Sequence, residues 1–139
     1  MRHLSFVFVV LAALASAGCV SVSVFGVVGD DSELYSGSAT GYADKTGTID
    51  LKNDKGNRCT GDFVYTSHLR GHGLLACDDG QRAMIDFRGL TSLSGYGVGT
   101  SDTGQKIVFT YGLSRAESAR YLGFSVAGAA VPSANGPGA

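Results

Sequence analysis

The side chains of this chain best suited to metal binding or redox chemistry lie in one short stretch. Cys59, His68, His72 and Cys77 follow one another as Cys-x8-His-x3-His-x4-Cys, residue types that zinc accepts. The spacings match no zinc-finger pattern, and outside the cytosol two facing cysteines oxidise before they can hold a metal. Cys59 and Cys77 stand 9 residues to either side of His68. A hairpin turning at His68 therefore sets them opposite each other on antiparallel strands, where a disulfide can bridge them. The expected chemistry is a Cys59–Cys77 disulfide, with no metal and no cofactor. Ser67-His68 and Ser94 offer hydroxyls, but no Gly-x-Ser-x-Gly elbow, His-Glu-x-x-His pair, phosphate loop or dinucleotide fingerprint accompanies them. The residues give no catalytic set, so the expectation is a non-enzyme.

The third cysteine, Cys19, belongs to a different chemistry. Met1-Arg2-His3 precedes an apolar run from Leu4 to Ala15 and a cluster of small residues, the form of an export leader over residues 1–18. Two cleavage readings compete. Ala15-Ser16-Ala17 has the A-x-A form of ordinary signal-peptide cleavage, whereas Ser16-Ala17-Gly18-Cys19 resembles the bacterial lipobox. In the second, adopted reading, Cys19 is acylated on sulfur and becomes the first mature residue. The mature chain then keeps 121 of 139 residues, with a net charge moving from −1 to about −2 as Arg2 is lost. That balance, without a Lys/Arg cluster, gives no footprint for nucleic acid.

Charged columns recur with a period of 24 residues. Asp54-Lys55-Gly56-Asn57-Arg58 returns as Asp78-Asp79-Gly80-Gln81-Arg82 and as Asp102-Thr103-Gly104-Gln105-Lys106. Gly47, Gly71 and Gly95 march in step, as do Phe63, Phe87 and Tyr111. A row of aspartates would suit Ca²⁺, but each one precedes a turn glycine, and turn formation accounts for it. Arg58, Arg82 and Lys106 form a basic column whose alternatives are cross-strand charge pairing or the capture of a polyanionic glycan or headgroup.

The elements that carry these columns read as β-hairpins. Asp-x-Gly between short alternating segments marks a hairpin turn. After each turn an apolar face emerges with period two: Cys59, Gly61, Phe63; Ala83, Ile85, Phe87; Ile107, Phe109, Tyr111. Ile49, Leu51 and Leu75 join that face, and so do Gly61, Gly73, Gly97 and Gly99, which require something to lie close against them. The expected fold is all-β, a single antiparallel sheet of tandem 24-residue hairpins over residues 37–127. Residues 19–36 precede it as a lipidated N-terminus and tether or first strand, and 37–52 as its lead-in hairpin. Ser114-Arg115-Ala116-Glu117 reads as a capping box opening a helix near 115–122, with Ala116, Ala119 and Leu122 as its contact face and the glycines beneath it. Phe124 to Ala127 would add a strand, and residues 128–139 have the composition of a disordered tail.

Gly61-Asp62-Phe63, Arg70-Gly71-His72-Gly73-Leu74-Leu75 and Asp79-Gly80 resemble a MORN repeat, as do Gly95-Tyr96-Gly97-Val98 and Thr103-Gly104. The chain is also similar to small, functionally uncharacterised Gram-negative lipoproteins with a Cys-x-Gly-x-Phe segment, here Cys59 to Phe63. The resemblance covers residues 37–112 and implies stacked hairpins offering a binding or scaffolding surface, without catalytic residues. The functional expectation is a lipid-anchored cell-envelope protein of structural or interaction role, at the outer membrane facing the periplasm. The expected partners are the membrane, through the anchor, and another envelope protein. The alternative is a periplasmic or secreted module binding cell-wall glycan through Arg58, Arg82 and Lys106 with Tyr96 and Tyr111. A small exported hydrolase is the third reading.

Overall fold

The structure, a computed structural model, describes residues 18–30 and 33–124. The expected leader up to residue 17, the expected tail and residues 125–127 of the strand expected after the helix lie outside these residues. Eight strands follow in chain order: β1 (Cys19–Val28), β2 (Glu33–Tyr42), β3 (Thr46–Asn53), β4 (Arg58–Tyr65), β5 (Arg70–Cys77), β6 (Arg82–Thr91), β7 (Ser94–Ser101) and β8 (Lys106–Tyr111). One helix, α1 (Arg115–Leu122), comes last.

Each strand pairs antiparallel with the next, and β8 returns to β1. Val24 faces Tyr111 and Val28 faces Ile107 across the closing seam. The single antiparallel sheet expected from the hairpin pattern is thus closed into a barrel, with its first strand drawn from the segment before residue 37. Physically, the right-handed twist of a glycine-rich meander coils it on itself, and closure leaves no unpaired edge. The segment before residue 37 belongs to the barrel: β1 is its first strand, and β2 begins at Glu33, upstream of the lead-in hairpin expected from Ala39. Ser36, Gly37, Ser38 and Gly41 blur the alternation there, which hides the strand from a pattern search.

The repeated Asp-x-Gly segments form three similar turns at one end of the barrel. Gly56, Gly80 and Gly104 sit at φ +85°, +89° and +85°, the left-handed position that closes a three-residue hairpin loop. Asn53, Cys77 and Ser101 accept from the glycine amides through their carbonyls. Asn53 and Ser101 also cap the loop with their side chains, through the amides of Asn57 and Gln105. Of the acidic residues there, Asp79 bonds inside its own turn, accepting from the Gln81 amide at 3.0 Å. The other end, the mouth, carries the β2–β3, β4–β5 and β6–β7 connections, the start of β1 and the exit of β8.

Inward-facing positions are those of the expected apolar face, with Val24 and Tyr35 added from the first two strands. The outer face carries Arg58, Asp62, Arg70, Arg82, Asp86, Arg88 and Lys106 together with exposed Leu74, Met84 and Val98, a mixed surface unlike the continuous apolar band outside a membrane-spanning barrel. The helix is capped as expected: Ser114 accepts from the Glu117 amide, and the Glu117 carboxylate accepts from the Ser114 amide. It does not cover the glycines, however. It packs on the outer face of β8 and β1, burying Ser118 and Ala119 while Ala116 stays exposed. Thr110 Oγ1 donates to Ser118 Oγ at 2.7 Å in this seam. Closure turns the apolar face inwards, so the helix docks on the outer wall through Ser118 and Ala119, with Tyr121 stacked on Tyr96 of β7.

Candidate functional site: the barrel bore

What lies against the glycines is the neighbouring strand. In register, Gly47 faces Phe63, Gly71 faces Phe87, Gly95 faces Tyr111 and Gly97 faces Phe109. A Cβ added at any of these four would collide with the facing aromatic ring. The repeated glycine and aromatic columns are therefore two halves of one contact: each ring folds down onto a bare backbone instead of reaching for the barrel axis. Phe63, Tyr65, Phe87 and Tyr111 meet edge to face at centroid distances of 5.1–6.0 Å and make an aromatic wall on β4, β6 and β8. Across from it, β1 and β2 contribute Val22, Gly26, Ala39 and Gly41.

Flattened rings facing small residues leave space along the axis. The bore holds a cavity of about 900 Å³, lined from all eight strands. The burial pattern fits this. Thr110 and Ser118, under the helix and outside the barrel, are the only fully buried side chains among the described residues. The inward apolar residues instead keep 3–8 % exposure, because they border the cavity.

The two ends of the bore differ. At the turn end a polar network spans the opening: Asn57 donates from Nδ2 to Tyr35 Oη at 2.9 Å and to Asp79 Oδ2 at 3.2 Å. Asn53 donates to Glu33 at 2.7 Å, and Thr103 to Gln81 at 3.3 Å. Successive turns are thereby laced together. At the mouth the lining includes Val20, Lys45, His68 and Leu93. Three tyrosines in the bore, Tyr35, Tyr65 and Tyr111, are held protonated above the usual phenol range, chiefly by loss of hydration. Tyr111 Oη is buried without a hydrogen-bond partner among the described residues.

Among the residues singled out from sequence, Cys59 and Cys77 face each other in register on β4 and β5 and form the disulfide, their Cα atoms 3.9 Å apart. Both line the bore, and with both sulfurs bonded the zinc series loses two of its ligands. His68 lies at the mouth and His72 on the outer wall. Cys19 is an exposed free thiol at the first position of β1, beside the mouth. Arg58, Arg82 and Lys106 sit on the outer face of β4, β6 and β8, so a strand separates each from the next. Arg58 is engaged by Asp50, Nε to Oδ1 at 2.8 Å, which holds that carboxyl below its usual range. Tyr96 lies outside, stacked on Tyr121, while Tyr111 lies inside, so the expected glycan set does not converge on one surface. Sequence reasoning missed the bore itself. The available signal was the phase shared by the glycine and aromatic columns, which puts each ring opposite a gap.

No family model and no curated protein matches this chain. Solved structures of similar fold include a redesigned β-barrel, mFAP1, bound to DFHBI, at 13 % identity and TM-score 0.54, covering 67 % of this chain and 92 % of that one. A fluorescence-activating β-barrel of de novo design matches at 13 % identity and TM-score 0.53 over 68 % and 91 %. A further redesigned β-barrel, b11L5F_LGL, gives 11 % and 0.55 over 68 % and 90 %. At such identities the likeness concerns the fold alone.

Proposed function

We propose that this chain is an exported, lipid-anchored protein of the Gram-negative cell envelope whose barrel binds a small apolar molecule. The observation that carries the binding reading is the cavity of about 900 Å³, apolar through its middle and within the roughly 300–1,000 Å³ of ligand sites. An eight-stranded barrel interior is either filled by side chains or holds one small ligand, and here the rings lie against the wall. Anchoring is supported by the lipobox-like run and by the accessible thiol of Cys19 at the very start of the barrel. Export is supported by the leader and by the disulfide, a bond rare in the cytosol. The 24-residue period reads as duplication of a MORN-like hairpin, the glycine–aromatic contact being the duplicated part. Binding through the outer wall to another envelope protein is the second role of such an anchored barrel, favoured by exposed Leu74, Met84 and Val98.

Ala83, inward and small, offers the test. Ala83→Phe should fill the bore and abolish retention of an apolar fluorescent probe such as Nile red, while the far-ultraviolet spectrum stays that of the wild type. Undiminished probe binding by a folded Ala83→Phe chain would sink the bore reading. Anchoring is checked separately: Cys19→Ser should move the protein from the membrane fraction to the soluble envelope fraction.

A further inference from the structure

We infer that the mouth of the barrel docks on an anionic phospholipid surface, so that the bore opens directly onto the bilayer. This rests on the bore-binding reading for its purpose and on separate observations for its geometry.

The first observation is apolar. Val20, Tyr42, Leu90 and Leu93 are 46–53 % exposed, and all four lie at the mouth end, with Val20, Tyr42 and Leu93 in the lining itself. An apolar rim around an apolar bore continues the interior outwards, the arrangement that lets a lipid-soluble molecule pass without crossing water.

The second observation is charge. Lys45 and His68 line the mouth, and the outer wall just below it carries Arg70 and Arg88. Those two arginines face each other directly across β5 and β6. Like charges in register repel, and neither arginine forms an ion pair among the described residues. A phosphate between them would turn that repulsion into two attractions. Asp86 stands two residues from Arg88 on the same face of β6, without an ion pair to either arginine among the described residues, and Asp44 adjoins Lys45. Asp44 Oδ1 already accepts from the amide and the hydroxyl of Thr46, at 3.0 and 2.6 Å. At the opposite end Glu33, Asp54, Asp78, Asp79 and Asp102 are balanced by Lys52, Lys55, Arg58, Arg82 and Lys106, so the uncompensated positive charge lies at the mouth, the end a negative surface would attract.

The third observation is position. Cys19 opens β1 at this same end, so an acyl chain on its sulfur would tether the barrel mouth-first. A phospholipid surface unites the three features, since an apolar rim alone would suit a protein partner and a basic collar alone a soluble anion.

The chain contains no tryptophan, so a single one is a clean reporter. Leu93→Trp at the mouth and Asp54→Trp at the turn end would be compared in a Cys19→Ser background, which removes the acyl anchor and leaves the docking surface alone, on vesicles whose acyl chains are brominated. On phosphatidylglycerol vesicles, Leu93→Trp emission should shift to the blue and be quenched severalfold, while Asp54→Trp emission stays unchanged. On phosphatidylcholine, at high salt, or in an Arg70→Gln/Arg88→Gln background, the Leu93→Trp quenching should fall at least fivefold. Equal quenching at both ends, or quenching indifferent to lipid charge and to the arginines, overturns the inference. Nile red retention measured without vesicles keeps the two readings apart. If the unsubstituted chain holds the dye but Leu93→Trp is never quenched, the docking surface alone is lost, and the reverse outcome loses the bore alone.

Discussion

At the scale of single residues the barrel is governed by positions that lack a side chain. Gly97 carries the backbone over which Phe109 lies, and a methyl there would meet the ring and the Asp86 carbonyl together. Gly97→Ala should therefore cost about 1–3 kcal/mol through overpacking, read from urea unfolding. Gly56→Ala meets open space and should cost about 1 kcal/mol, for its left-handed φ alone. The reverse sign is expected at Tyr111, whose hydroxyl is buried and unbonded. Tyr111→Phe removes an uncompensated desolvation and should stabilise the fold by about 1 kcal/mol. It also alters the alkaline limb. Folding raises the Tyr111 pKa above its unfolded value of 10.0, so its share of stability is complete below pH 10 and is lost progressively as pH climbs above it. The phenylalanine variant should lose stability less steeply above pH 10 than the wild type, with Tyr35 and Tyr65 supplying what slope remains.

At the scale of elements, hairpins are the units, and here the sequence is most legible. The turn at His68 predicts the pairing of Val64 with His72 and of Cys59 with Cys77, and both occur. Turn glycines and alternation are local signals, written within a few residues of the structure they cause. The capping box of α1 is equally local, but its docking face is not. The helical spacing puts Ala116 on the contact face, yet it lies exposed, because the partner of α1 is the outer wall of β8 and β1. The disulfide joins residues 18 apart in sequence across a hairpin whose register is already set by its turn. Its removal frees mainly the unfolded chain, so reduction, or a Cys59→Ser/Cys77→Ser pair, should lower stability by about 3 kcal/mol. The barrel signature in circular dichroism should survive at low temperature. Unchanged urea midpoints after verified reduction would show that the bridge constrains nothing.

At the scale of the whole molecule, closure and the bore are not legible in advance. No local signal records that β1 meets β8. The contact joins the two ends of the barrel, and Val24 and Tyr111 carry no mark of each other. The cavity is likewise a property of eight strands at once, since it depends on which rings lie flat and on what stands across the axis. That seam has a further consequence, in the order of assembly. Seven of the eight pairings are between sequence neighbours and can zip early, while the seam spans nearly the whole barrel and must come last. Until then β1 and β8 are bare edges able to pair with another copy. A chain made from its N-terminus presents β1 first and β8 last, so one edge waits for its mate. Its hazard is therefore one of timing, and a chain cut short before Lys106 would keep that edge for good.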